Sequence, residues 1–331
     1  MIRRIAMTAL AAVLITVSGC GGNGDEQAKG NDKDKVTYVT AFGAVGRDSF
    51  IWVAKEKGWF ADAGIDVDIQ KGAGNVQNLT MIKSGQAQFG ALDFTGAEIQ
   101  AGLGKFTDWR AVAAVHQQTL VSIMTTADTG IAQPTDLAGR TVATATGSVS
   151  ELLFPAYAKL AGLDPSKVKI QGAQTTALNS LMAQRKVDAL STFLLSQKAL
   201  ETASKKQVVV LPYSKYLTDL FGNAVIAQEG LITSDRDLVA RFVGAAMKGL
   251  QYTIDHPAEA ADILHKAEPT ATTAAAIGEI EAMKPYVSPP GRPLGAFDPA
   301  RVDAGIAELT RNGLMPAGLT ADKVVDASFI K

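Results

Sequence analysis

Cysteine is almost absent from this sequence. Cys20 is the only one among 331 residues, so neither an intrachain disulfide framework nor a thiolate metal cluster can form. An excess of positive charge is also missing, because 32 lysines and arginines are balanced by 33 aspartates and glutamates, for a formal net charge of −1. Without a basic stripe to neutralise a phosphate backbone, nucleic acid is not an expected partner.

Apolar runs long enough to cross a membrane are lacking as well. The run at residues 5–17 is shorter than the ~20 residues that a spanning helix needs. Arg3 and Arg4 precede it, and small residues follow it before Cys20, an arrangement typical of a signal peptide. The sequence Val17-Ser-Gly-Cys20 resembles a bacterial lipobox, which implies cleavage before Cys20 and a diacylglycerol on its sulfur. The alternatives are an ordinary signal peptide and a short buried helix.

We therefore expect residues 1–19 to be a signal peptide and residues 20–35 a lipid-anchored flexible linker. Residues 21–35 contain no apolar side chain larger than alanine, so they cannot offset the entropy of ordering. Two or three acyl chains hold a protein firmly, because each buried CH₂ contributes about 0.8 kcal/mol. The expected location is extracytoplasmic, on the cell membrane through Cys20, with the chain a monomer. A periplasm and the outer face of a single membrane both remain open.

Strand-like and helix-like segments alternate in two separate blocks, residues 36–103 and residues 141–190. This spacing is typical of βαβ units with a largely parallel sheet. From residue 235 onward the pattern becomes mostly helical. We therefore predict an α/β fold with two lobes, each a mostly parallel sheet flanked by helices.

Two extended apolar segments, residues 112–124 and 222–227, are predicted to be strands that cross between the lobes. Lobe 1 then comprises residues 36–125 and 222–331, and lobe 2, residues 126–221, is inserted in it. The two crossings form a hinge. Ligands in open α/β sheets bind outside the C-terminal ends of the strands, so the cleft between the lobes is the predicted binding site.

Five motifs occur along the chain after residue 35. They are AKEKGWFADAGIDV (54–67), IKSGQAQFG (82–90), PTDLAGRTV (134–142), LMAQRKVDA (181–189) and HPAEAA (256–261). In this order they resemble the ABC solute receptors for nitrate, sulfonates, taurine and thiamine-pyrimidine precursors. Trp59 stands at a tyrosine or phenylalanine position, Gln88 at a common aspartate, and Arg185 or Lys186 at a usual glycine.

The resemblance implies a type II periplasmic-binding-protein-like fold that closes around a small organic solute. It also implies docking of the closed receptor on an ABC permease that a cytoplasmic ATPase powers. A ligand shifts the lobes only through its differential affinity for the closed form. The sequence contains no P-loop, so another chain handles ATP. A receptor that reports to a sensor kinase predicts the same binding with a different partner.

The loops that follow the predicted strands are the expected binding loops. The expected ligand-binding residues are Phe42, Arg47, Asp48, Ser49, Asp93, Phe94, Thr95, Thr146, Gly147, Ser148, Thr192, Phe193, Phe221 and Asn223. Thr95 and Ser148 also begin capping-box sequences, in which the hydroxyl accepts a backbone N–H. Phe94 and Phe193 also fit a core, and Arg47 also fits a solvated loop.

The aromatic and acidic side chains among these residues favour a nitrogen heterocycle such as a thiamine-precursor pyrimidine. Phe42, Phe94, Phe193 and Phe221 suit the faces of a flat ring. Asp93 repels an anion and suits a protonated or amine-bearing ring. Helix N-termini, hydroxyl groups and Arg47 suit the alternative ligands, which are sulfonates, taurine and nitrate.

An extracytoplasmic enzyme is the alternative of another class. A hydrolytic triad needs a histidine beside a serine or cysteine, and only His116, His256 and His265 are present. They fall in a predicted crossing strand, before a proline and on a late helix, and none lies in a predicted cleft loop. We therefore expect no catalytic residue, no metal and no cofactor.

Overall fold

Residues 33–330 are described by the computed structural model. Their strands are β1 (Asp34–Val39), β2 (Ile65–Gln70), β3 (Phe89–Asp93), β4 (Trp109–Ala114), β5 (Val121–Thr126), β6 (Thr141–Ala145), β7 (Lys169–Ala173), β8 (Ala189–Phe193), β9 (Val208–Pro212) and β10 (Asn223–Gln228). Their helices are α1 (Ser49–Glu56), α2 (Trp59–Asp62), α3 (Asn75–Lys83), α4 (Phe94–Gly102), α5 (Val149–Leu160), α6 (Leu178–Ala183), α7 (Gln197–Ser204), α8 (Glu229–Ser234), α9 (Arg236–Asp255), α10 (Pro257–Ala267), α11 (Thr273–Met283) and α12 (Pro299–Arg311).

The predicted signal peptide, Cys20 and the linker as far as residue 32 lie outside the described residues. The last two residues of the predicted linker belong to β1, because Asp34 and Lys35 pair with Ile65 and Asp66 of β2. Among the described helices, none combines the length and the apolar character that crossing a bilayer requires.

The first sheet has the strand order β2-β1-β3-β10-β4. The strands β1, β2 and β3 are parallel, whereas β10 is antiparallel to both β3 and β4. Four of the five strands therefore run in one direction, and the reversed strand β10 is the one that brings the chain back from the second sheet.

The second sheet repeats this arrangement with the order β7-β6-β8-β5-β9. Here β6, β7 and β8 are parallel, and β5 is antiparallel to both β8 and β9. Each lobe is thus a largely parallel sheet with one reversed strand, and the reversed strand β5 is the one that enters from the first sheet. The predicted fold class is confirmed.

The first crossing between the sheets lies earlier than predicted. Residues 112–124 are not one strand, because β4 belongs to the first sheet and β5 to the second. All six residues of β5 are buried, and they pair with β8 and β9 on either side. The chain therefore leaves the first sheet at residues 115–120, ahead of the predicted boundary at 125. It returns before β10, which begins one residue after Gly222.

An aromatic cluster on α9 anchors the core of the first lobe. The buried face of α9 includes Leu238, Phe242 and Leu250, at the spacing of an amphipathic helix. The Phe242 ring stacks on Phe89 of β3 with 3.8 Å between centroids, and it also contacts Phe60 at 5.0 Å. Aromatic pairs with ring centroids about 4.5–7 Å apart, such as Phe60 and Phe242, contribute about 0.5–1.5 kcal/mol beyond their buried area.

Gln88 and Asp188 make equivalent contacts just before β3 and β8, which begin at Phe89 and Ala189. The Gln88 side-chain oxygen accepts the N–H of Thr37 at 2.9 Å, and the Gln88 backbone N–H donates to the Thr37 carbonyl at 3.0 Å. Asp188 makes the same pair of contacts with Thr141. An amide oxygen serves this purpose as well as a carboxylate oxygen, which explains how glutamine replaces the family's common aspartate.

Candidate functional site

A cleft of about 470 Å³ lies between the lobes. Residues from the loops after β1, β3, β6 and β8 line it, together with residues from both crossing segments. This is the position expected for a ligand at the C-terminal ends of parallel strands. The cleft is large enough for a small organic molecule.

Nine of the predicted site residues line this cleft. They are Phe42, Arg47, Asp93, Thr146, Gly147, Ser148, Thr192, Phe193 and Asn223. They come from both lobes, so the fold brings together side chains that are far apart in the sequence. Their contact with a ligand stays a prediction.

Asp48 and Ser49 lie beneath the cleft and are not among its lining residues. The Asp48 side chain is 1% exposed, and its Oδ1 accepts the N–H of Ala41 at 3.3 Å. The Ser49 hydroxyl is fully buried and donates to the carbonyl of Gly46 at 2.7 Å. Both side chains therefore hold the loop that follows β1 in place.

Phe94, Thr95 and Phe221 are core residues behind the cleft and do not line it. Phe94 and Phe221 pack edge to face, with 6.1 Å between ring centroids, and both contact Phe297. The Thr95 hydroxyl donates to the carbonyl of Phe221 at 2.9 Å. These three residues fill the space between α4 and the return crossing. The sequence alone did not distinguish this core packing from a wall of the ligand site.

Asp93, rather than Thr95, caps helix α4. Its Oδ1 accepts the N–H of Gly96 at 2.8 Å, and Asn75 fixes its backbone by bonding both the N–H and the carbonyl. Its Oδ2 is buried without a hydrogen-bond partner among the described residues. Burial raises the pKa of Asp93 to about 6, although the Gly96 N–H and the Arg47 charge act against this rise.

Arg47 is surrounded by carboxyl groups in the first lobe. Its Nε lies 3.9 Å from Oδ2 of Asp48, and its backbone N–H donates to Oε2 of the half-buried Glu279 at 3.3 Å. Burial raises the pKa of Asp48 to about 6, against the lowering influence of the Arg47 charge, and burial also raises the pKa of Glu279. With Asp93 included, three carboxyl groups lie near one guanidinium, and two of them, Asp93 and Glu279, line the cleft as hydrogen-bonding groups.

His116 lies in the first crossing segment and lines the cleft, which corrects the expectation that no histidine would do so. It is 1% exposed, and its Nδ1 accepts the N–H of Asn223 at 3.2 Å. Burial, together with the Arg47 charge, lowers its pKa to about 3. The imidazole is therefore neutral at physiological pH, with its proton on Nε2, which has no partner among the described residues.

The second lobe contributes mainly hydroxyl groups to the cleft, including Thr146, Ser148, Ser150 and Thr192. Ser148 caps α5 by accepting the N–H of Glu151 at 3.3 Å, as its sequence context predicts. The Glu151 carboxylate accepts the N–H of Gly147 at 2.5 Å. A carboxylate of the chain itself therefore already occupies the positive end of this helix.

Two aromatic side chains line the cleft from different lobes. Phe42 follows β1 and is 39% exposed, and the half-buried Phe193 ends β8. The Arg47 guanidinium lies 5.9 Å from the centre of the Phe193 ring, so it makes a contact between the lobes. A planar ligand can use both rings as apolar walls.

Asn75, His116 and Glu279 line the cleft but are missing from the predicted set. Asn75 had a usable signal, because an asparagine directly after Gly74 marks the start of a helix. His116 and Glu279 had none, since a crossing segment and a late helix reach the cleft only through the tertiary fold.

Residues 48–260 match the model of the family described as NMT1/THI5 like. The chain belongs to this family. It is 25% identical over 217 residues to the formylaminopyrimidine-binding protein of Halalkalibacterium halodurans, with 65% of each chain covered. It is 23% identical over 217 residues to the riboflavin-binding protein RibY of Chloroflexus aurantiacus, covering 64% of this chain and 60% of RibY. Each match spans less than two thirds of the relative's length.

Solved structures of the same fold cover most of the chain. The sulphonate-binding protein SsuA of Escherichia coli superimposes with a TM-score of 0.70 at 15% identity, over 88% of this chain and 92% of SsuA. The nitrate-binding protein NrtA of Synechocystis PCC 6803 gives 0.71 at 16% identity, over 90% and 87%. The desulfurization enzyme DSZB gives 0.60 at 16% identity, over 90% and 97%. At these identities the likeness shows the two-lobed fold alone.

Proposed function

We propose that this NMT1/THI5-like protein is the extracytoplasmic solute-binding receptor of an ABC importer. The observation that carries the proposal is the cleft between two lobes that are joined by two crossing segments. Its walls come from both lobes, so closure around a ligand can change the surface offered to a permease. Two relatives, each matched over 217 residues, have names that describe solute binding.

The ligand is a nitrogen heterocycle related to a thiamine-precursor pyrimidine. Asp93 caps α4 and Glu151 closes the start of α5, so two helix N-termini beside the cleft already carry a carboxylate. Asp48 and Glu279 also offset the charge of Arg47. These contacts favour ligands with N–H groups over sulfonates, taurine and nitrate, and they agree with the pyrimidine and flavin named for the two relatives.

Catalysis is not part of the proposed function. The Nδ1 of His116 is engaged by the N–H of Asn223, and a carboxylate partner that would orient the ring for base catalysis is not among its hydrogen bonds in the described residues. Because the enzyme DSZB shares the fold, the fold cannot distinguish a receptor from an enzyme, and an activity assay must. Turnover that a His116 substitution abolishes would establish an enzyme.

The remaining proposals concern location and partners. A signal peptide at residues 1–19, a lipid on Cys20 and a flexible linker together hold a monomeric receptor at the membrane. A permease and its ATPase are the partners. No nucleic acid is involved, as the balanced charge of the chain suggests.

The direct test is ligand-dependent melting of the unit Lys33–Lys331, which is compact by itself. Aminopyrimidines, flavins, sulfonates, taurine and nitrate are screened separately. A ligand present at a hundred times its Kd stabilises the folded state by about 2.7 kcal/mol, which raises Tm by several degrees. We expect this shift with an aminopyrimidine or a flavin. A shift with sulfonate or nitrate alone would favour the alternative ligands, and no shift with any solute would contradict the receptor function.

A further inference from the structure

Three neighbouring strands of the first sheet place polar residues side by side at the cleft. Asp93 ends β3, Asn223 begins β10 and pairs with Asp93 in the antiparallel register, and His116 follows β4 on the other side of β10. The Asn223 N–H donates to Nδ1 of His116, and this bond holds His116 against Asn223. Strands lie ~4.8 Å apart, so the backbones of Asp93 and His116 are about 10 Å apart, with Asn223 between them.

The outer two residues have complementary unpaired atoms. Asp93 uses Oδ1 to cap α4, which leaves Oδ2 as an acceptor, and its side chain is 6% exposed. His116 uses Nδ1 as an acceptor, which leaves Nε2–H as a donor. Leaving a buried polar atom unpaired costs about 1–3 kcal/mol, so a ligand that pairs both atoms recovers this loss.

We propose that Asp93 and His116 together recognise one edge of a planar heterocycle. This inference rests on the proposed receptor function and makes its ligand class more specific. Asp93 Oδ2 accepts a hydrogen bond from an exocyclic amine, and His116 Nε2–H donates to the adjacent ring nitrogen. Each residue is held by a bond to the backbone, so neither can readily exchange its role.

This pairing explains how the cleft discriminates between similar rings. An oxo analogue places a carbonyl oxygen against Asp93 Oδ2, which leaves two acceptors facing each other. A pyridine analogue, in which CH replaces the ring nitrogen, leaves His116 Nε2–H without a partner. A site whose polar groups are left unpaired rejects such analogues strongly.

The test combines two substitutions with three ligands and uses titration calorimetry. The probes are the aminopyrimidine moiety of thiamine with its methyl and aminomethyl groups, its oxo counterpart, and its pyridine counterpart. Asp93→Asn keeps an acceptor for the α4 cap and replaces the free acceptor by an N–H donor. We expect about 10- to 100-fold weaker binding of the aminopyrimidine and a reversed or abolished preference over the oxo counterpart.

His116→Phe removes the donor and keeps a planar ring. The unsubstituted protein should prefer the pyrimidine to the pyridine by about 10-fold, and the variant should bind both equally. Asp62→Asn and His265→Phe change exposed residues on α2 and α10 and serve as matched controls. The melting temperature of each ligand-free variant shows whether it is folded.

The outcomes separate this inference from the receptor function. If the aminopyrimidine binds and neither substitution alters discrimination, the assigned edge is wrong although the receptor function stands. If the protein binds a sulfonate and none of the three probes, the proposed recognition by Asp93 and His116 is wrong, although the receptor function again stands. The assignment is supported if Asp93→Asn loses only the preference over the oxo counterpart and His116→Phe loses only the preference over the pyridine counterpart.

Discussion

Asp93 illustrates how one side chain serves the fold and the cleft together. One carboxylate oxygen caps α4, the backbone is held by Asn75, and the other oxygen has no partner among the described residues. Burial makes the ionised form costly, which is why the pKa of Asp93 rises to about 6. The ligand-free protein therefore carries a pH-dependent stability that this residue contributes.

We predict that the ligand-free protein loses stability as the pH rises through about 6. The folded state binds the Asp93 proton more tightly than the unfolded state, whose pKa is near the ordinary 3.8. Below pH 3.8, the pKa of Asp93 in the unfolded chain, this stabilisation is fully present and amounts to about 3 kcal/mol. About 1 kcal/mol of it is lost between about pH 5 and pH 7. Chemical unfolding at these two pH values measures it.

Asp93→Asn should reduce this pH-dependent loss by about 1 kcal/mol, because an amide does not titrate. Asp48, whose pKa burial also raises to about 6, should retain its own contribution in the variant. The exposed Asp62→Asn is the control and should follow the unsubstituted protein. An unchanged pH profile in Asp93→Asn would show that the carboxyl group is not destabilised by burial.

Arg185 shows how the chain departs from the family pattern without losing the local fold. It has φ of 57°, the left-handed conformation that favours glycine, whereas Lys186 is not among the residues with positive φ. The departure from the usual glycine is therefore at Arg185. Its guanidinium bonds Asp128 at 2.6 Å on the surface, a contact that glycine cannot make.

At the scale of elements, helix α12 connects the two crossing segments. Its Arg301 donates to the carbonyl of Gln117 in the first crossing and to that of Thr218 before the return, the latter at 3.2 Å. The guanidinium also lies 4.2 Å from the centre of the Phe221 ring. One side chain thus holds both parts of the hinge, because its Nη2 bonds both carbonyls.

We predict that Arg301→Lys lowers the free energy of unfolding by about 1–3 kcal/mol, because lysine loses the planar guanidinium over the Phe221 ring and the Nη2 atom that bonds both carbonyls. Amide hydrogen exchange should quicken in residues 115–120 and 218–222 ahead of the rest of the chain. Arg311→Lys, on the exposed end of the same helix, is the control and should stay within about 0.5 kcal/mol. If residues 115–120 and 218–222 exchange no faster in Arg301→Lys than in Arg311→Lys, Arg301 has no role at the hinge.

The helix starts at the cleft show where local sequence patterns suffice. The Ser148 capping sequence is confirmed, because Ser148 accepts the N–H three residues later. The capping sequence at Thr95 is wrong, because Asp93 lies two residues earlier and caps α4 first. A local pattern cannot decide between two adjacent capping residues, since the helix start depends on where β3 ends.

At the scale of the whole molecule, the two sheets share one strand order and each has one reversed strand. The reversed strands β5 and β10 are those that directly follow the two crossings. Both lobes therefore present their C-terminal strand ends toward the crossings, which places the cleft there. Arg47 and Phe193 meet across it, so closure is expected to change their contact.

We predict that the whole chain attaches to membranes and that this attachment depends on Cys20 alone. The unsubstituted protein should sediment with membranes and stay there through a high-salt wash, because acyl burial is insensitive to salt. Cys20→Ala should move it to the soluble fraction. Fractionation and immunoblotting measure both, and a Cys20→Ala protein that still sediments with membranes would contradict lipid anchoring.

Periodicity and motif order alone determined the α/β class, the two blocks and the family, because alternation of strands and helices is a local property of the chain. They also located nine cleft residues, since ligands bind at strand ends and strand ends can be predicted. The tertiary structure decided the rest. Whether Phe94 and Phe221 faced a ligand or the core, whether His116 reached the cleft, and where the chain left the first sheet all depended on packing between segments distant in sequence.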